Sequence, residues 1–384
     1  MIAIPSVICL IACHGGAADH FATFAERLIK EGHQVEVYAS GPALKKFQER
    51  NITVVCPFNV DHLSSTQEKI LAEQIVKYCN KASVVLTDVG HDFDVALQKS
   101  FTDKAPEVLR IAYYDNPESY VPGGYSHIAA QVMRLAHKVL FANAHLKEEV
   151  LYKDSHEKLL LPFNRRVGLG YYPLSQAEKV AARRAKGQEG LRAQFFSQNQ
   201  LEEKGQKVLV YFGGNNQEYF GKAFPAFLTL LSDSSATTDL SNTIVVLQQH
   251  PGAKSENLDR QAMEKWINEL GNFEKAPKII LSNQTSEEMQ VIADAALYYQ
   301  TSMGPLFALA GIPTIQVGHE VYEDVLIKNG LCASVLDAAA FVDAVSSIKP
   351  VCVSEEHKKK ISDRLGIKED WFHTLKQTFN LVSC

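Results

Sequence analysis

The chain has 384 residues, 46% of them hydrophobic and 22% charged, with a formal net charge of −5. At roughly 100–200 residues per domain, that length makes two domains or three. The composition excludes disorder and collagen-like repeats, and the mild acidity leaves no electrostatic footprint for nucleic acid or an anionic membrane.

Seven cysteines (Cys9, Cys13, Cys56, Cys79, Cys332, Cys352 and Cys384) are scattered, with no CxxC pair. They read as free thiols in a reducing, cytoplasmic compartment. The apolar start, residues 1–13, contains Pro5 and lacks a basic leader, so it reads as a buried strand rather than a signal peptide. No apolar run reaches the ~20 residues that would cross a bilayer.

In chain order, residues 7–12 predict a strand and 18–31 a helix with Phe21, Phe24, Ala25 and Leu28 on one face, ended by Gly32. Strands follow at 34–39 and 52–55, a helix at 67–79, and buried strands at 84–87, 109–113 and 139–142. Strands separated by helices make βαβ units, and these make a parallel sheet covered on both faces. The pattern breaks at 162–205, where Arg165, Arg166, Arg183, Arg184, Lys186 and Arg192 accumulate. This stretch reads as a basic inter-domain linker with short helices near 176–186 and 190–195. It is either a solvated face or a phosphate patch.

The alternation then restarts. Strands are predicted at 208–212, 243–248, 278–281, 296–299 and 313–317. Helices are predicted at 220–231, 257–270, 286–293, 305–310, 322–329, 338–347 and 355–365. A last amphipathic helix, 370–379, carries Trp371, Phe372, Leu375 and Phe379 on one stripe.

Ligands of open parallel sheets bind beyond the carboxyl ends of the strands. The first such end carries His14-Gly15-Gly16-Ala17-Ala18-Asp19-His20, neither a GxGxxG fingerprint nor a Walker A loop. His20 at the helix start suits a general base, or is an ordinary surface histidine. Asp88, ending the strand 84–87, would face the same crevice and orient that base. Asp92-Phe93-Asp94 spells a DxD, too short a signal for a metal site in this position. Asp115 and Asn116, after the aromatic Tyr113-Tyr114, suit sugar hydroxyls or a plain loop.

The Gly15-Gly16-x-x-x-His20 loop, followed by a helix and Gly32-His33-Gln34-Val35, resembles the amino-terminal signature of GT-B glycosyltransferases. Asp19 stands where that superfamily usually has a glycine. Three further stretches are similar to its nucleotide-sugar domain: 207–215 with Gly213-Gly214-Asn215, Gln249-His250-Pro251-Gly252, and 301–315 with its Ala310-Gly311-Ile312-Pro313. The His-Pro also occurs in sugar-nucleotide 2-epimerases, although their opening Thr-Arg-Pro-Glu stretch is absent here.

The resemblance implies α/β architecture, with two doubly wound, Rossmann-like domains facing a cleft. Residues 1–165 would bind the acceptor, 166–205 would be the linker, 206–365 would bind the nucleotide sugar, and 366–384 would pack back on the first domain. It implies glycosyl transfer from a nucleotide diphosphate sugar, a UDP-sugar foremost, to an acceptor hydroxyl or amine, with no metal or other cofactor. His20 and Asp88 would be catalytic, and Gly15, Gly16, Asp115 and Asn116 would meet the acceptor. Gly213, Gly214, Asn215, His250, Ser302, Met303, Gly304 and Glu320 would hold the donor, the oriented amides near Met303 facing its diphosphate. Leu306 occupies the place of the superfamily's ribose-binding glutamate. Glu320 or Glu323 could substitute for it, the donor could differ from the common nucleotide sugars, or the chemistry has been lost.

Overall fold

The computed structural model describes residues 7–118, 124–148, 151–153, 158–159, 161–250, 257–270 and 273–381. Two units emerge, 1–173 with 365–384, and 174–364.

The first unit runs β1 (Val7–Ala12), α1 (Gly15–Lys30), β2 (Gln34–Ser40), α2 (Gly41–Glu49), β3 (Val54–Phe58), α3 (Ser65–Tyr78) and β4 (Ala82–Thr87). It continues with α4 (Asp92–Lys104), β5 (Leu109–Tyr114), α5 (Gly124–Leu135), β6 (Lys138–Phe141), a short antiparallel pair β7 (Leu151–Lys153) and β8 (Lys158–Leu159), and β9 (Arg166–Gly168). The second runs α6 (Leu174–Gln198), β10 (Lys207–Phe212), a π-helical turn (Tyr219–Ala223), α7 (Phe224–Thr237), β11 (Thr243–Gln248), α8 (Leu258–Leu270), β12 (Lys278–Leu281) and α9 (Ser286–Ile292). Then come β13 (Ala295–Tyr298), α10 (Gly304–Leu309), β14 (Thr314–Val317), α11 (Val325–Lys328), β15 (Ala333–Val335), α12 (Ala338–Ser346) and α13 (Glu355–Arg364). The last helix, α14 (Trp371–Thr378), belongs to the first unit.

Both main sheets are parallel and doubly wound. The first has the order β3-β2-β1-β4-β5-β6-β9 and the second β12-β11-β10-β13-β14-β15. The winding reverses between β1 and β4 in one, and between β10 and β13 in the other, which are the switch points where such sheets bind ligands.

The period of two along β1 sorts its side chains. Ile8, Leu10 and Ala12 enter a core with Phe21, Phe24 and Leu28 of α1 and Phe372 and Leu375 of α14. Cys9, Ile11 and Cys13 enter the opposite core with Tyr38, Ile75 and Phe101. Six cysteines are free, and Cys9, Cys13 and Cys79 are buried in that second core. Cys384 lies outside the described residues.

Gly32, at φ +85°, ends α1: its amide reaches Ile29 O and that of His33 reaches Leu28 O. Arg27 lies over the ring of Phe372 at 4.7 Å, and Lys376 pairs with Glu31 at 2.7 Å, so α14 is held on α1.

The stretch expected as a linker with two short helices is otherwise. Residues 166–168 form an edge strand, and 174–198 form one continuous helix within the second unit. The arginines explain this. Arg184 Nη1 donates to the carbonyls of Gln290, Val291 and Ala293 at 2.9, 3.1 and 2.7 Å, capping the end of α9. Arg183 pairs with Glu287 at 2.5 Å, and Arg192 with Asp294 at 3.1 Å. Arg165 does for α5 what Arg184 does for α9, reaching Met133 O and Arg134 O at 2.8 and 3.0 Å. Arg165, Arg183, Arg184 and Arg192, which resembled a solvated face or phosphate patch, thus commit their charge to helix ends and carboxylates.

Candidate functional site

At the β1/β4 switch point Asp88 is buried, and its Oδ2 accepts the amides of Cys13 and His14 at 2.7 and 2.8 Å. The grip sets the turn between β1 and α1. His14 then stacks on His91 with centroids 4.2 Å apart and planes 19° apart. Gly90 lies under His14: a Cβ there would come within 1.9 Å of His14 Nε2, an atom that is buried without a partner. Burial and the neighbouring His14 push the His91 imidazole below its ordinary value.

Gly16 allows a second close approach, because a Cβ there would sit 2.7 Å from Asp115 Oδ2. Asp115 Oδ1 accepts the Tyr125 hydroxyl at 3.1 Å, and burial raises this carboxyl above the usual range. Gly15 starts α1 and meets Pro42 at an ordinary distance. Asn116 Oδ1 accepts the amide of Glu118 at 2.9 Å and so shapes the loop after β5.

His20 lies one turn into α1, only 7% exposed. Its Nδ1 meets the Tyr113 hydroxyl at 2.5 Å, and the rings of Tyr171 and Tyr172 pack edge-on at 5.0 and 6.2 Å. Burial lowers its pKa from 6.5 to about 3, so the ring is neutral at any working pH. The expected surface histidine is therefore excluded. The expected partnership with Asp88 is not made as a hydrogen bond among the described residues. The reason is direction: α1 turns His20 toward β5, whereas Asp88 points back beneath the turn. Asp92 is exposed and Asp94 fully buried, so the DxD carboxylates diverge.

In the second unit the loop after β10 is packed by Tyr219. A Cβ at Gly213 or Gly214 would approach its side-chain atoms to 2.7 or 2.9 Å. The Tyr219 hydroxyl donates to Asp259 Oδ2 at 3.3 Å, and Gln249 Nε2 to Asp259 Oδ1 at 2.6 Å. Asn215 is exposed. His250 is half-buried, with its imidazole lowered by burial, while residues 251 and 252 lie outside the described residues. Ser302 is exposed, the Met303 amide donates to Thr301 Oγ1 at 3.1 Å, and Gly304 is packed under Leu326. Leu306 is buried, and the neighbouring Phe307 packs on Phe212 at 4.7 Å. Neither side chain can accept a hydroxyl.

Acceptors converge instead beyond β13 and β14. His319 Nε2 lies between Glu218 at 3.4 Å and Glu320 at 3.6 Å, and the Tyr299 hydroxyl donates to Glu320 at 3.4 Å. His319 Nδ1 and Gln300 Nε2 are buried without partners. Asn216 Nδ2 donates to Gln300 Oε1 at 3.0 Å. Of this group only Glu320 stands out in the sequence. Glu218, Tyr299 and His319 sit within a few residues of the glycine-rich loops, but lack a spacing signal. His14 and His91 fall inside the first-unit motifs, and only the fold shows that their rings meet.

No known family model matches the chain, and neither does any curated protein sequence. Solved structures do. The UDP-GlcNAc 2-epimerase of Neisseria meningitidis, bound to UDP-GlcNAc, aligns with TM-score 0.64 and 9% identity over 97% of each chain. That of Methanocaldococcus jannaschii, with UDP-GlcNAc and UDP, aligns with TM-score 0.62 and 12% identity over 93% of this chain and 98% of that one. A glycosyltransferase of Rickettsia africae ESF-5 aligns with TM-score 0.61 and 12% identity over 98% and 94%. The chain has the GT-B fold of these enzymes. No helix among the described residues is long and apolar enough to cross a membrane.

Proposed function

We propose that the chain is a nucleotide-sugar enzyme that transfers a glycosyl group from a nucleotide diphosphate sugar, a UDP-sugar foremost, to an acceptor hydroxyl or amine without metal or cofactor. What supports this reading is the likeness, over nearly the whole of both chains, to a glycosyltransferase and to related enzymes solved with UDP-GlcNAc or UDP. Polar groups at both switch points support it.

The second unit would take the donor. Gly213, Gly214, Asn215, His250, Ser302, Met303 and Gly304 would face the diphosphate, where negative charge grows as the sugar departs and oriented donors stabilise it. Glu320, with Glu218 and His319 beside it, would accept the donor's hydroxyls in place of the absent carboxylate at Leu306. In the first unit Gly15, Gly16, Asp115 and Asn116 would meet the acceptor. His20 would take the acceptor's proton on Nε2, its Nδ1 being held by Tyr113. Asp88 would support the turn from behind rather than touch the base.

A second reading, 2-epimerisation of a UDP-sugar, is favoured by the number of 2-epimerases among the structural neighbours. A binding protein without chemistry is the third, resting on Leu306. Incubation with a panel of UDP-sugars and sugar acceptors separates them. A transferase releases UDP only with acceptor, and an epimerase isomerises the donor alone. Failure of any UDP-sugar to bind in calorimetry would refute both enzymatic readings. For the transferase, His20→Ala should lower turnover ~10²–10⁴-fold with donor affinity kept; unchanged turnover removes His20 as the base.

A further inference from the structure

Beneath the turn that Asp88 holds lies a second carboxyl. Asp94, in the first turn of α4, is fully buried, and its Oδ2 accepts the amide of His91 at 2.8 Å. Its Oδ1 has no partner, and neither has Oδ1 of Asp88, which is itself 1% exposed. A carboxylate oxygen of each, and the thiol of Cys13, all lie within 4.8 Å of one another. No lysine or arginine pairs with either acid among the described residues. The titratable neighbours are Cys13 from β1's end, Asp61 from the loop after β3, His14 and His91 above, Asp92 on α4, and Asp115 beyond β5.

Two ionised carboxylates cannot share so dry a space. Two carboxylates this close, each with an orphaned acceptor, also cannot satisfy each other. One proton resolves both conditions, because a neutral carboxylic acid donates where a carboxylate only accepts. We propose that Asp94 is a positioning residue whose Oδ1 carries a proton shared with Oδ1 of Asp88, locking the N-terminus of α4 to the turn between β1 and α1. The balance is simple: the pair holds one proton and one negative charge. Each remaining Oδ2 accepts backbone amides, those of Cys13 and His14 on Asp88 and that of His91 on Asp94. The lock thereby fixes both histidines of the His14–His91 stack. Burial and the Asp88 charge also hold the Asp94 carboxyl well above its usual range.

Asp94→Asn tests this, since an amide can accept from His91 and donate to Asp88 with no proton to lose. Wild type and D94N are unfolded in urea from pH 5 to 9. The wild-type folding constant should fall relative to D94N by up to tenfold per pH unit, until Asp94 ionises in the folded state. The carboxylic-acid C=O stretch of wild type at pH 7 should weaken in D94N by infrared spectroscopy. An unchanged acid band together with parallel pH curves overturns the shared proton. So does one equivalent of metal, by mass spectrometry, that D94N releases, because a cation would then fill the gap. If D94N does not fold, Asp88→Asn serves from the other side. Loss of the same band there supports the shared proton, and its persistence overturns it.

Discussion

Replacing His20 by Phe separates the cost of burying an imidazole from its use. Folding carries this ring from water into a cage of Tyr113, Tyr171 and Tyr172 and lowers its pKa from 6.5 to about 3. Between those values the unfolded chain binds a proton that the folded chain refuses. Stability therefore falls as the solution is acidified through this window and is unaffected above it. At pH 5 the loss from His20 alone is about 2 kcal/mol. Phenylalanine fills similar space and takes no proton, but it leaves the Tyr113 hydroxyl without Nδ1, which costs about 1–3 kcal/mol at every pH. H20F should thus be the less stable protein at pH 7.5, with the gap closing by about 2 kcal/mol at pH 5. Urea unfolding at the two pH values measures it. A gap that stays constant would mean that His20 takes up its proton without unfolding, and the argument that the base is always neutral would fail with it.

Other substitutions probe other links. Arg184→Met uncaps three carbonyls at the end of α9 and should destabilise the second unit by about 2–4 kcal/mol in denaturant unfolding. Gly190 sits inside α6 with open space where a Cβ would stand, so Gly190→Ala should stabilise by about 0.5–1 kcal/mol in the same assay. Gly90→Ala would instead strike His14 and cost about 1–3 kcal/mol, with the His14 and His91 imidazole resonances shifting in NMR spectra. Phe372→Ala removes a buried ring of α14 from the first unit's core and should cost about 3–5 kcal/mol, read as a lower thermal midpoint.

The winding of both sheets could be read from the sequence because each central strand is apolar on both faces and each is followed by a helical period. Short edge strands such as β9 and β15 escaped, since three residues are too few to show an alternation. The continuity of α6 escaped for a different reason. Glycine and a run of charge argue locally for a break, while the interactions that overrule them come from Glu287, Asp294 and the end of α9, about a hundred residues away.

The site shows the same division between local and distant information. That His20 and Asp88 both follow strand ends was visible in the sequence. That one points toward β5 and the other under its own loop was not, because direction depends on which face of α1 meets the sheet. The same limit hid the partner of Asp94. Two residues from Asp92 it spells a metal motif, yet those two positions on a helix point well apart, and the carboxyl that meets Asp94 is six positions earlier on a different element. A short acidic motif at a helix start therefore says less about the chemistry than the burial of each carboxyl. An exposed one can wait for a cation, whereas one sealed against a second acid must already hold a proton or be pushed apart.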